Sequence, residues 1–142
     1  MGILKDMRQQ ISSKIDALPG FSLSKQTPAY FGRTQNTVAH KSFVVDLAST
    51  NQANERQRRS VGVYASTTIR VQFAFRLRPT DAYPTDYDLM LDAEESVINA
   101  ILGDYSNQPF QIRYEASSRA ITDSQEYAII SIELSTFHTI QP

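Results

Sequence analysis

Along residues 68 to 79, TIRVQFAFRLRP, every odd position is apolar (Ile69, Val71, Phe73, Phe75, Leu77), while the even positions carry Arg70, Arg76 and Arg78 around Gln72 and Ala74. A period of two places alternate side chains on opposite faces of a strand, so the pattern predicts a strand over 61–78 with one face committed to a core. Gly62 marks a candidate bulge near its start and Pro79 ends it. Residues 3–18 follow a different rule. Ile3, Met7, Ile11, Ile15 and Leu18 recur at spacings of three or four, the stripe of an amphipathic helix. Pro19 and Gly20 stop it, the proline by breaking the hydrogen-bond ladder and the glycine by taking a left-handed turn.

The remaining elements follow from the same two periods. FSLS (21–24) reads as a short strand and SFVVDLA (42–48) as another, poorly patterned one. Residues 49–60, STNQANERQRRS, are polar apart from Ala53, have no period, and read as a long exposed loop. A second helix is predicted over 85–102, starting after Pro84 with Thr85 or Asp86 as cap. Met90, Ala93, Val97 and Ile101 form its stripe, and Gly103 closes it. Strands over 109–117 and 126–138 complete the chain, joined by SSRAITDSQ as a hairpin connection. This order predicts a single α+β domain spanning 1–142: a mainly antiparallel sheet with two amphipathic helices packed on one face.

Composition narrows the function. A hydrophobic fraction of 41% with 20% charged residues fits a globular fold rather than a disordered chain. A formal net charge of −1 supplies no global field for recruiting nucleic acid or anionic membrane. With no cysteine, disulfides, thiolate nucleophiles and cysteine-ligated metals drop out together. No apolar run approaches the roughly 18–20 residues of a membrane span. MGILKDMRQQ lacks a secretory apolar region, and Asp6 stands where an N-myristoylation motif prefers Ser or Thr.

Candidate chemistry is sparse. His40 and His138 have no patterned partner, and Asp92, Glu94 and Glu95 read as the solvated face of the second helix. The five glycines are too scattered for a phosphate-binding loop. Neither a catalytic residue, a cofactor site nor a metal site is expected, and the chain reads as a non-enzyme. The cationic positions remain: Arg56, Arg58 and Arg59 in the polar loop, and Arg70, Arg76 and Arg78 on the long strand. They are open to three readings. These are phosphate contacts, cross-strand pairing with acids such as Glu115 or Glu133, and a subunit interface. The phenylalanines of this strand share its apolar face, which weakens a base-stacking sheet.

The succession of a leading helix (3–18), a polar loop, TIRVQFAFRLRP, then DAYPTDYDLMLDAEESVINAIL and a final strand SIELSTFHTI resembles the small tail-terminator, or tail-completion, proteins of long-tailed bacteriophages. In that family a strand–loop–helix unit precedes a closing β-hairpin. The resemblance implies a virion protein of the tail or neck, assembled in the bacterial cytoplasm. It would form a homo-oligomeric ring, commonly hexameric, on the last ring of the tail-tube protein. It would end tube polymerisation and present a surface to the head-side connector. DNA would pass through without sequence-specific contact, and no membrane is involved. On this likeness, Asn51 to Ser60 would touch a neighbouring subunit or the tube, and the Arg70, Arg76 and Arg78 face would lie at a subunit interface or along the lumen. Two alternatives stand beside it: a head-completion or connector protein of the same virion, and a small non-viral α+β module that binds nucleic acid or a ligand.

Overall fold

The computed structural model describes residues 3–24, 40–52, 63–77, 82–103, 111–121 and 127–140. They form α1 (Ile3–Asp16), β1 (Ser22–Leu23), β2 (Ser42–Gln52), β3 (Val63–Arg76), α2 (Tyr83–Leu102), β4 (Gln111–Ile121) and β5 (Tyr127–Ile140). The five strands make one sheet in the order β1-β2-β3-β5-β4. Only β1 pairs in parallel; the other neighbours are antiparallel. Both helices lie on one face, giving the expected α+β architecture, with α1 over β2 and α2 reaching β4.

The alternation read from the sequence builds the core. Ile69, Val71 and Phe73 of β3 are fully buried, as are Ala128, Ile130, Ile132 and Leu134 of β5. Direct pairing sets Ile69 opposite Leu134, Val71 opposite Ile132 and Phe73 opposite Ile130, so the apolar faces register row by row. Met7, Ile11 and Ile15 of α1 and Met90, Val97 and Ile101 of α2 close over these rows. Phe21 meets Phe73 edge to face at 5.5 Å. On the opposite face, Val44 and Ala74 form a smaller buried cluster with Ile129.

Several boundaries differ from the sequence expectation, each for a local reason. Helix α1 ends at Asp16 rather than 18. Its last turn tightens through Leu18 N donating to Ile15 O ahead of Pro19, and Gly20 then turns left-handed at φ +81. Helix α2 starts at Tyr83 rather than 85, with Pro84 inside its first turn, where a missing N–H leaves no bond unmade. Neither Thr85 nor Asp86 caps it. The cap position is Ala82, and Asp86 is buried within the helix.

The larger correction concerns the polar loop expected at 49–60. Strand β2 runs on to Gln52, pairing Ser49, Thr50 and Asn51 with Thr68, Thr67 and Ser66. A bulge at Ala48, between Leu47 and Ser49, breaks the apolar period there. The hydroxyls of Thr50 and Thr67 then bond at 2.9 Å, so a polar row continues the sheet. Residues 53–60 lie outside the described residues, as do Gly62, Arg78 and Pro79. Strand β4 likewise extends to Ile121, so 117–121 of the expected hairpin connection are strand. Here too a bulge, at Glu115 between Tyr114 and Ala116, conceals the period.

Truncating the centre of the core should be expensive. Ile132→Ala is expected to lower unfolding free energy by about 2–5 kcal/mol, because the packed rows cannot collapse around the cavity. Gly20→Ala should lose about 1 kcal/mol at its left-handed position. Chemical denaturation of each variant beside the parent protein measures both.

Candidate interaction surface

The sheet face opposite the helices holds two of the expected arginine positions, Arg70 and Arg76. Arg70 stands between Asp46 of β2 and Glu133 of β5, each its direct cross-strand partner. Its Nη2 lies 3.5 Å from Glu133 Oε1, and both side chains are over 40% exposed (42% and 46%). An exposed pair of that length contributes under about 1 kcal/mol, so it orients more than it stabilises. One row further, Gln72 Nε2 donates to Ser131 Oγ at 3.0 Å. Glu115 is held by the Ser135 hydroxyl at 2.6 Å rather than by an arginine. The cross-strand pairing expected for Arg70 is therefore present with Glu133.

Arg76 lies on the same face but six residues along the strand, about 20 Å away at the rise of an extended chain. It is exposed, and its backbone N–H donates to His40 Nδ1 at 3.0 Å. The structure thus does not gather Arg70 and Arg76 into one cationic patch. Arg56, Arg58, Arg59 and Arg78 lie outside the described residues.

Around His40 the surface is concave. Two adjoining troughs of about 350 and 360 Å³ share His40, Phe75 and Leu89, with Leu18 and Phe21 flooring the first. The His40 ring sits edge-on to Phe75 at 4.6 Å. Burial first, then the nearby charges of Lys41 and Arg76, hold its pKa below the ordinary 6.5, with Asp86 opposing in part. A neutral ring is what the bond from Arg76 N requires, since Nδ1 must accept.

Three functional-looking groupings escaped the sequence reading. Glu94, expected on a solvated face, is 5% exposed and takes two bonds from Arg119, at 2.8 Å from Nε and 2.6 Å from Nη2. Ser117 Oγ adds a third at 3.3 Å, and Tyr114 OH bonds that serine at 2.8 Å. This network pins α2 to β4. Arg119 pairs with no acid in the sequence pattern, so only the fold could reveal it.

The second grouping is buried: Thr67 Oγ1 lies 2.7 Å from His138 Nε2 and also bonds Thr50. Burial pushes the His138 pKa down. Among the described residues, its Nδ1 and the neighbouring Thr136 Oγ1 have no hydrogen-bond partner. A hydroxyl–imidazole pair suggests a nucleophile and base, but Thr67 is fully buried and no third group among the described residues orients the ring. Thr67, Thr136 and His138 sit at the apolar-face positions of the alternation, the one signal that marked them as inward. The third is Arg113 on β4, exposed, and with no ion-pair partner among the described residues.

Among the described residues no group of three or more His, Asp or Glu is placed to hold a metal ion. No described helix is long and apolar enough to cross a membrane. The chain matches no protein-family model, and no curated protein matches it.

The two histidines set a pH dependence. Both hold fewer protons in the folded chain than in the unfolded one, so stability is complete above 6.5 and is lost as pH falls below that value. Urea unfolding at stepped pH should show this loss, and His138→Gln should reduce it, leaving the share from His40. Arg119→Ala, which strands the buried Glu94, should reduce stability by about 1–3 kcal/mol in the same assay at pH 7.

Proposed function

We propose that this chain is a non-enzymatic virion protein that closes into a ring on the end of a phage tail tube, ends tube growth and offers a docking surface to the head-side connector. The observation that carries this reading is the one-sided sheet. Both helices cover one face, while the other displays Arg70, Arg76 and Arg113 against Asp46, Glu115 and Glu133. Interspersed opposite charges on one sheet face, with Arg70 and Glu133 as its ion pair, set register between protein surfaces and add little non-specific attraction. The layout of elements adds the resemblance to tail-completion proteins.

Among the described residues the same balance speaks against the nucleic-acid alternative, because phosphate binding needs an excess of cations on one surface. A ligand-binding module finds its support in the troughs beside His40, whose floor of Leu18, Phe21 and Phe75 could take a small apolar molecule. The neck-connector alternative shares the sheet geometry and differs in its partner.

Mass photometry across concentration, with negative-stain imaging of the large species, tests the ring directly: discrete rings with a central hole are expected. Loss of the gene should give overlong tails without heads. Complete tails beside unjoined heads would transfer the role to a connector. Charge reversal of an exposed face residue, Arg76→Glu, should impair tail termination while leaving the far-UV circular dichroism of the subunit unchanged. Normal termination by that variant would remove Arg76 from the contact with the tube.

A further inference from the structure

Both long edges of the sheet carry backbone groups that face outward. On β2 the carbonyls of Lys41 and Phe43 point away from β3, accepting from Ser22 N at 3.2 Å and Ser24 N at 2.8 Å. The Val45 carbonyl, next in this alternation, accepts from the Arg8 guanidinium at 3.3 Å. Outward groups recur every second residue in an antiparallel strand, so Leu47 follows Val45. Because hydrogen-bonded and open pairs alternate along each cross-strand row, the same parity carries through β3 and β5 to the far edge. There, Ile112 and Tyr114 of β4 face outward. Among the described residues no strand pairs with β4 beyond β5, or with β2 beyond Phe43 on its outer side.

We propose that copies of this chain join head to tail through these two edges, with Ile112–Tyr114 of one subunit pairing antiparallel with Val45–Leu47 of the next and Arg113 opposite Asp46. Three independent conditions meet in this one register. Strand β4 runs antiparallel to β2 within the sheet, so extending the sheet by a second copy keeps the helices on one side. Outward backbone groups then meet outward groups: Val45 opposite Tyr114 and Leu47 opposite Ile112. Charge alternates as well. Asp46, Arg70 and Glu133 already form one row of signs, negative, positive, negative, and Arg113 of the next copy continues it with a positive. Arg119 cannot substitute, because it lies on the helix face and is bound to Glu94.

The bulges at Ala48 and Glu115 confine the match to a few residues on each edge. One such junction is weak, and closure of a ring, where every subunit makes two, is what makes it persist. Arg8 occupies the Val45 carbonyl in the lone subunit and yields it to Tyr114 N–H on joining. Tyr114, 41% exposed in the single chain, gains Val45 as a neighbour.

This inference rests on the ring reading for its occupant, and two variants separate the two. Asp46→Arg should weaken assembly by roughly tenfold in concentration, through like charges set against Arg113. Asp46→Arg combined with Arg113→Asp should restore it. Because the chain has no cysteine, Asp46→Cys and Arg113→Cys proteins can be mixed and treated with a short bismaleimide. A cross-linked pair is expected from the mixture and from neither protein alone. Rings that form without that cross-link, or a double variant that stays as weak as Asp46→Arg, would overturn the junction and leave the ring standing. Absence of any assembled species from the parent protein would overturn both.

Discussion

The pairing of β3 with β5 is the constraint from which the other contacts follow. Every residue of β3 from Val63 to Arg76 has a partner on β5, and the register sets each inward apolar residue of one strand beside one of the other. A slip by one residue would turn Ile69, Val71 and Phe73 to the helix-free face and bring Arg70 into the core. The register therefore fixes, in one step, which face the helices cover and which face the charges occupy. Strands β2 and β4 are additions to this central pair, each broken by a bulge, and β1 adds only Ser22 and Leu23.

That hierarchy explains what was legible in the sequence. The central strands and both helices bury one regular face each, so a period of two or of three to four marked them and gave the fold class. The flanking strands were read short because their bulges, at Ala48 and Glu115, shift the period midway, and because Ser49–Asn51 and Ser117–Ala120 hold their places by pairing rather than by apolar burial. The histidines show the limit for side-chain chemistry. Their isolation in sequence was real, yet His138 finds Thr67 from a strand 71 positions away, and no local pattern reports such a pair. Glu94 was misread for a related reason: helical geometry marks a polar flank, and the partner that draws it inward, Arg119, comes from another element.

The polar end of the sheet has its own logic. Apolar rows give way to Thr50, Thr67 and Thr136, then to His138, all on the face that elsewhere holds isoleucine and phenylalanine. The buried Thr67 hydroxyl is tolerated because it bonds Thr50 and His138, but among the described residues Thr136 and the second ring nitrogen are left without partners. Unmet polar groups weaken a region more than an apolar row would. Cohesion is thus concentrated under α1 and α2, and this end of β3 and β5 is held with less margin and is the more sensitive to acid.

Edges are where such a sheet must choose between protection and assembly. An isolated subunit has to prevent indiscriminate strand addition, and this one does so with bulges on both flanks, with Arg8 on the Val45 carbonyl, and with charges at Asp46 and Arg113. In the proposed junction, the same features that deter a random strand would admit a matched one. A bulge limits contact to a short segment, and a charge rejects any partner that lacks the opposite charge at that row. Specific assembly from a weak edge then depends on geometry that lets many copies satisfy one another at once, which is the condition a closed ring provides.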